Sequence, residues 1–303
     1  MSDQVRIIDV GPRDGLQNEK LPIPTDVKLR FIQALADAGL NEIEATSFVS
    51  PKWVPQLGDA AELWPHLPSS PLFSALVPNA KGLERAIVVG VKRIAVFTAA
   101  SDAFTRKNIN MSVEESLEAF RAVIEEFRAQ VPGGWVRGYV STAFECPFAG
   151  LVAPSAVREV SMKLLEMGVD DISIGDTIGV AGPSEVHSLT NTLLEVIPIE
   201  KFAYHFHDTH GTAVANVSKA LELGIRAFDS SAGGLGGCPY APGATGNLAT
   251  EDLVYLLNRE GFRHGVALDR LATASLEILK LFGRSPYSKG QLAQLSASGT
   301  FPT

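Results

Sequence analysis

The sequence predicts a (β/α)8 TIM barrel, a closed parallel sheet surrounded by helices. Short apolar runs rich in β-branched residues alternate with longer amphipathic runs, and eight of the short runs are present. Eight β-then-α units close into a barrel, and 303 residues is a usual length for one. A doubly wound open sheet is the alternative, but it does not need eight strands, and no G-x-G-x-x-G motif follows the first strand.

Local signals place the individual elements. The predicted strands are 6–10, 42–48, 72–77, 93–99, 136–143, 171–177, 202–208 and 227–233. Helical periodicity is clear at 26–39, 112–130, 155–168 and 213–224. Several helices are expected to end at glycine, at Gly39, Gly168 and Gly224.

The whole chain, residues 1–303, is expected to form a single domain. The barrel is expected to cover about residues 5–264, and 265–303 to form a C-terminal extension. Within that extension, 268–283 has the pattern of an extra helix. This helix is expected either to cover the barrel or to contact another subunit.

Composition limits the range of functions. Lys and Arg number 26 against 34 Asp and Glu, and this acidic balance argues against nucleic acid as the main partner. No apolar run reaches the length of about 18 residues that a membrane helix needs. The N-terminus lacks the pattern of a signal peptide, so a cytoplasmic location is predicted. The two cysteines, Cys146 and Cys238, are too few for a disulfide framework and fit a reducing compartment.

Unusual polar residues collect where the predicted strands end, which is where TIM barrels carry their chemistry. Arg13 and Asp14 follow the first strand, and the fifth strand is expected to run on to Glu145. Glu44 lies within the second strand; because a buried glutamate is costly unless paired, we expect it to pair with a site cation or with Arg13. Asp176 ends the sixth strand and is expected either to join the site or to cap the next helix.

His205 and His207 are spaced i, i+2 on the seventh strand, which places them on the same face. If that face is the barrel interior, two imidazoles enter one cavity, and Asp14 would add an oxygen donor to a metal site. Alternatively, one histidine is a hydrogen-bonded core residue and the other faces a helix. Asp208 and His210 follow the strand and are expected to support the site or to cap the next helix.

The segment GGLGGCPYAPGATGN (233–247) follows the eighth strand and contains six glycines and two prolines. Such a composition permits unusual backbone angles and a close approach to a ligand. It is interpreted either as a surface loop with an incidental thiol or as a lid that brings a reactive Cys238 over the barrel mouth.

Taken together, seven segments resemble the 3-hydroxy-3-methylglutaryl-CoA (HMG-CoA) lyases, which belong to a wider group of metal-dependent TIM-barrel enzymes. The resemblance extends from about residue 5 to 283. Arg-Asp and His-x-His mark the wider group, whereas GPRDGLQNE and GLGGCPYAPGATGN are specific to the lyase branch. The segments are VGPRDGLQNE, SFVSPKWVPQ, FTRKNIN, VRGYVS, GDTIGVA, HFHDTHGTA and GGLGGCPYAPGATGN.

The resemblance implies a divalent metal, Mg²⁺ or Mn²⁺, with its ligands at Asp14, His205, His207 and Asn247. It implies a retro-Claisen cleavage of HMG-CoA to acetoacetate and acetyl-CoA, a step of leucine degradation. A homodimer is expected from the family and from the extra C-terminal helix.

Further roles follow from the implied reaction. Arg13 is expected to stabilise the thioester enolate, and Cys238 to transfer a proton, with His205 as the rival for that step. Glu44 and Asp176 are expected to tune this network. Two more residues, in FTRKNIN, are expected to contact the CoA moiety: Lys107 and Asn108.

Three other functions remain as alternatives. The first is a lyase for a longer-chain 3-hydroxy-3-alkylglutaryl-CoA. The second is a condensing acyltransferase of the isopropylmalate synthase type, against which the Cys238 loop and the lack of a long C-terminal regulatory domain both argue. The third is a non-catalytic barrel that binds only CoA esters or metal.

Overall fold

The computed structural model describes residues 3–17, 19–236 and 246–299. Its strands are β1 (Arg6–Asp9), β2 (Glu42–Ser47), β3 (Leu72–Leu76), β4 (Arg93–Ala99), β5 (Trp135–Ser141), β6 (Glu145–Cys146), β7 (Gly150–Leu151), β8 (Asp171–Asp176), β9 (Phe202–Phe206) and β10 (Ala227–Ser230). Eight of them pair in parallel and form a closed barrel in the order β1-β10-β9-β8-β5-β4-β3-β2. The predicted barrel is therefore confirmed.

Helices surround this barrel, and further helices follow it toward the C-terminus of the chain. They are α1 (Thr25–Asp37), α2 (Ala60–Leu63), α3 (Ala80–Val88), α4 (Asp102–Ile109), α5 (Val113–Gln130), α6 (Pro154–Glu166), α7 (Pro183–Leu194), α8 (Ala213–Glu222), α9 (Thr250–Glu260), α10 (Leu268–Leu281) and α11 (Lys289–Ala297). Within the described residues, no helix has both the length and the apolar character needed to cross a membrane. The predicted extra helix is α10, whereas α11 was not predicted.

The predicted glycine helix ends are confirmed. Gly39, Gly168 and Gly224 follow the ends of α1, α6 and α8, with φ of 97°, 81° and 92°. Positive φ suits glycine, which has no Cβ to clash with the backbone. The next strand begins within a few residues in each case, so these turns set the spacing of β and α elements.

The prediction that the fifth strand runs on to Glu145 was wrong. β5 ends at Ser141, and Thr142 adopts a φ of 53° that no strand continues through. The N–H of Thr142 donates to Thr177 Oγ1 over 2.7 Å, which directs the chain out of the barrel wall. Residues 145–146 instead form a small antiparallel hairpin with 150–151.

A network of ion pairs links several strands of the barrel. Arg137 on β5 is buried and donates to Asp171 on β8 (3.0 Å) and to Asp229 on β10 (2.6 Å). Arg6 on β1 pairs with the same Asp171 and with Glu42 on β2. Because a buried charge is strongly destabilising when it loses its partner, this network holds the strands in register beneath the barrel mouth.

Candidate metal centre and active site

The first part of the site is a short helical turn, Gly11–Gly15, that follows β1 and carries Arg13 and Asp14. Asp9, the last residue of β1, is fully buried, and its Oδ1 accepts the N–H of Gly11 over 2.9 Å. Burial raises the pKa of Asp9 to about 6, although its hydrogen bonds oppose this. The carboxyl group of Asp9 thus fixes where the turn leaves the strand and where its two charged side chains lie.

His205 lies on β9 and His207 follows just after the strand. Their Nε2 atoms are 3.2 Å apart, so both imidazoles lie on the same side of the chain, and both line one cavity. Asp14 completes a group in which one ligand atom from each residue lies within 4.8 Å of the others. These three side chains are therefore close enough to bind one metal ion.

Asp229 contacts the opposite side of His205. The two residues occupy the same register position on β10 and β9, and His205 Nδ1 lies 3.3 Å from Asp229 Oδ2. Asp229 also accepts hydrogen bonds from Arg137 and from Ser173 (2.7 Å), so its position is fixed from three sides. In the neutral ring this carboxylate favours the tautomer with the proton on Nδ1, which leaves the Nε2 lone pair toward His207. Sequence reasoning did not identify Asp229; an aspartate inside the apolar strand at 227–230 was the available signal.

Asn247 reaches the same point from the end of the glycine-rich segment. It forms an antiparallel bridge with His207, so the backbone places it beside the histidine pair. Its Nδ2 donates to Asp14 Oδ2 (2.8 Å) and to the carbonyl of Leu235 (3.0 Å). Both of these neighbours accept hydrogen bonds, so the amide nitrogen must face them. Its Oδ1 is buried and has no hydrogen-bond partner among the described residues, as expected for a metal-ligand oxygen.

Arg13 is buried between two carboxylates. Its Nε donates to Glu44, and its Nη1 donates to Asp14. Glu44 is itself fully buried on β2, and its other oxygen accepts the hydroxyl of Tyr139 over 3.0 Å. The Arg13 guanidinium also lies 5.7 Å from the centre of the Tyr139 ring. Glu44 and Tyr139 thus hold Arg13 beside the histidine pair, and the predicted Arg13–Glu44 pairing is confirmed.

The electrostatics suit cation binding. Burial alone would raise the pKa of Asp14, but the Arg13 guanidinium and His205 outweigh it and lower that pKa to about 2. Burial lowers the pKa of His207 to about 3, and electrostatic repulsion from the neighbouring His205 acts in the same direction. At neutral pH the site therefore presents an ionised carboxylate and a neutral imidazole, the forms that ligate metals.

A cavity of about 770 Å³ opens onto these residues. Arg13 and the two histidines line it, and so do Lys107 and Asn108 near the end of α4. Its remaining wall is largely apolar. Examples of the apolar lining are Val49, Val54, Leu76, Phe97, Phe104 and Phe120. The cavity thus combines a charged group of residues with room for an extended ligand.

One predicted site residue, Asp176, is not brought to this point. The Asp176 carboxylate is buried and accepts the N–H groups of Val180 and Ala181, each over 3.1 Å, so it shapes the loop after β8. Burial raises the pKa of Asp176 to about 6. Cys238 lies outside the described residues. Asp208 accepts the N–H of Ala213, the first residue of α8. This contact matches the alternative in which Asp208 caps the next helix.

Comparisons with known proteins relate the chain to one group of enzymes. Residues 4–278 match the family described as HMGL-like. The chain is 49% identical to the mitochondrial hydroxymethylglutaryl-CoA lyase of Bos taurus over 288 residues, which covers 94% of this chain and 88% of the bovine protein. The hydroxymethylglutaryl-CoA lyase of Pseudomonas aeruginosa superimposes with a TM-score of 0.95 at 46% identity, covering 98% of this chain and 99% of that one. An HMG-CoA lyase of Acinetobacter baumannii, solved with coenzyme A and 3-methylmalate, gives a TM-score of 0.90 at 35% identity, covering 100% and 99%.

Proposed function

Because this chain belongs to the HMGL-like family, we propose that it cleaves HMG-CoA to acetoacetate and acetyl-CoA. The observation that carries this proposal is the convergence of Asp14, His205, His207 and Asn247, with Arg13 beside them, at one end of the barrel. In the reaction, the C3 hydroxyl loses its proton and becomes the ketone of acetoacetate. The C2–C3 bond breaks, and C2 leaves as a thioester enolate that takes up a proton to give acetyl-CoA.

We assign a divalent cation, Mg²⁺ or Mn²⁺, to Asp14, His205, His207 and Asn247. The buried, unpaired Oδ1 of Asn247 and the closeness of Asp14, His205 and His207 support this set, because each of these residues carries an atom that can donate a lone pair. When bound, the cation supplies positive charge that acidifies the substrate hydroxyl and orients it. Asp229 is the positioning residue for His205, because its carboxylate accepts the Nδ1 proton and so places the lone pair of the neutral imidazole on Nε2.

Arg13 is assigned to the thioester enolate oxygen. Its guanidinium lines the cavity and is already held in place by Asp14 and Glu44, so it does not need to reorganise when charge develops. The flanking carboxylates outweigh the effect of burial and raise the Arg13 pKa, so the group stays cationic. Glu44 acts through Arg13 and not on the substrate.

The remaining roles follow from the family resemblance and from the cavity. Cys238 is assigned to proton transfer, with His205 as the rival. Lys107 and Asn108 line the cavity and are assigned to the CoA moiety, which the A. baumannii relative binds. Asp176 is assigned to shaping the loop after β8, where it holds two backbone N–H groups.

Incubation of the purified protein with HMG-CoA tests this function. We expect acetoacetate and acetyl-CoA in equal amounts, and release that stops when EDTA removes the cation. A parallel incubation with acetyl-CoA and a 2-oxo acid tests the condensing alternative, in which free CoA would appear instead. Turnover of a longer 3-alkyl analogue with none of HMG-CoA would move the assignment to the longer-chain substrate.

The cellular location and the oligomeric state of the enzyme stay predictions. The sequence favours a cytoplasmic location, whereas the bovine relative is described as mitochondrial. A homodimer is likewise proposed from the family. Fractionation of cells and light scattering of the purified protein would measure the two properties.

A further inference from the structure

The C-terminal extension touches both loops that bring ligands to the proposed metal. Between α10 and α11, the hydroxyl of Tyr287 donates to the carbonyl oxygen of Gly234, at the start of the glycine-rich segment. In the same stretch, Arg284 forms two hydrogen bonds with Glu19, of 2.6 and 2.9 Å. Glu19 lies a few residues after Asp14, so one short stretch of chain contacts both loops.

The glycine-rich segment needs such an external contact. Gly233, Gly234 and Gly236 have φ of 66°, 60° and 114°, a region that residues with a side chain rarely adopt. Without side chains, these residues cannot fix their own peptide planes by packing. A hydrogen bond to the Gly234 carbonyl fixes the peptide plane that joins it to Leu235.

Tyr287 packs closely against this turn. A Cβ added to Gly234 would lie 2.0 Å from the Tyr287 hydroxyl oxygen, so the ring occupies the space that a side chain would need. Gly236 is also closely packed, because a Cβ added to it would lie 2.5 Å from Asn247 Nδ2. The turn is therefore enclosed between Tyr287 and the Asn247 amide.

A continuous series of contacts then leads to the metal site. The peptide plane held by Tyr287 ends at Leu235, whose own carbonyl accepts Asn247 Nδ2 over 3.0 Å. The same Nδ2 donates to Asp14, and the Asn247 Oδ1 is left without a hydrogen-bond partner among the described residues. The orientation of this amide therefore depends on the position of the 233–236 backbone.

We propose that Tyr287 is a positioning residue that presents the Asn247 amide oxygen to the metal by holding the 234–235 peptide. This inference rests on the proposed function, in which Asn247 is a metal ligand. It gives the C-terminal extension a role within the active site of its own chain.

Tyr287→Phe tests the inference because it removes one hydroxyl and keeps the ring. The matched control is Tyr255→Phe on α9, a residue that is 53% exposed and lies outside the contacts described above. We would measure the dissociation constant for Mn²⁺ from the electron paramagnetic resonance signal of free Mn²⁺, and the thermal midpoint of each variant. Loss of one hydrogen bond should weaken Mn²⁺ binding by about threefold to tenfold in Tyr287→Phe. Tyr255→Phe should bind like the wild type.

Kinetics provide a second readout. At saturating Mn²⁺ the kcat of Tyr287→Phe should return to within about twofold of wild type, because the defect is in metal affinity. The KM for HMG-CoA should stay unchanged. A lowered thermal midpoint with unchanged Mn²⁺ affinity would show a merely structural hydroxyl and overturn the inference.

The outcomes also separate this inference from the proposed function. If Tyr287→Phe weakens Mn²⁺ binding but the wild type releases no acetyl-CoA, the positioning role stands and the assigned reaction fails. If the wild type cleaves HMG-CoA and both variants bind Mn²⁺ equally, the reaction stands and the positioning role fails. A wild type that binds no Mn²⁺ overturns both.

Discussion

His205 and Asp229 face each other at the same register position of β9 and β10, with the imidazole Nδ1 3.3 Å from the carboxylate. The buried Arg137 holds that carboxylate from the other side over 2.6 Å. Burial would lower the pKa of His205, but the hydrogen bond and the negative charge of Asp229 outweigh burial and raise it. This pair therefore determines which nitrogen of His205 is available for a metal.

Asp229→Asn is expected to weaken metal binding by roughly tenfold or more, since it removes the carboxylate that fixes the imidazole. Asp171→Asn is the matched control, because Asp171 accepts from the same Arg137 on another strand. Both variants should lower the thermal midpoint. Isothermal titration with Mn²⁺ should show reduced affinity in Asp229→Asn alone, and equal affinity in the two variants would contradict the positioning role.

Arg13→Lys is expected to lower kcat by about a hundredfold, the order found when a donor to a developing oxyanion is lost. A lysine ammonium cannot contact Glu44 and Asp14 through the two edges of a planar fork. Steady-state kinetics with saturating Mn²⁺ would measure the effect. Arg30→Lys, which alters an exposed pair with Asp26, should leave kcat unchanged. A near-normal kcat in Arg13→Lys would exclude Arg13 from enolate stabilisation.

Gly234→Ala is expected to be more damaging than Gly261→Ala. Both residues have positive φ, so each substitution costs about 1–2 kcal/mol of backbone strain. Gly261 has no atom within 4 Å of an added Cβ, whereas at Gly234 the added atom meets the hydroxyl of Tyr287. Urea denaturation should show the larger loss for Gly234→Ala, together with weaker Mn²⁺ binding. Equal losses in the two variants would mean that Tyr287 moves aside without consequence.

The buried Glu251 is expected to make stability depend on pH. Burial raises its pKa to about 7, although Ser275 and the N–H of Gly233 donate to the carboxyl group. The folded protein therefore holds this proton more tightly than the unfolded chain, whose ordinary value is 4.5. The stabilisation is fully present below that value and is lost as the pH rises to about 7, a change of about 3 kcal/mol in the free energy of unfolding.

Glu251→Gln tests this dependence, with the exposed Glu260→Gln on the same helix as control. Urea denaturation between about pH 5 and about pH 8 would give the free energy of unfolding of each protein. The wild type and Glu260→Gln should lose stability over this range more steeply than Glu251→Gln. Parallel curves for all three proteins would show that Glu251 does not carry the effect.

Much of the fold and the histidine pair were predictable because their signals are local. Strand and helix periods, the glycine ends at Gly39 and Gly168, and the i, i+2 spacing of His205 and His207 each depend on residues close in sequence. The end of β5 was missed because the run through Thr142 keeps a strand-like composition. Only the positive φ of Thr142, imposed by a contact with Thr177 on another loop, ends the strand.

The parts of the site that were missed depend on contacts distant in sequence. Asp229 supports His205 through the register of two neighbouring strands, 24 residues apart. Tyr287 reaches Gly234 across 53 residues, through an extension whose second helix has no clear apolar face. A single sequence does not encode such pairings in its local patterns, so only the folded chain brings them together.

The most direct test of the central claim is HMG-CoA cleavage by chelator-stripped protein, measured as a function of added Mn²⁺ for wild type and His207→Ala. We predict that stripped wild type is inactive, that Mn²⁺ restores release of acetoacetate and acetyl-CoA, and that His207→Ala recovers neither Mn²⁺ binding nor activity. Full activity of the stripped wild type, or of His207→Ala, would contradict a metal-dependent lyase built on this group of residues.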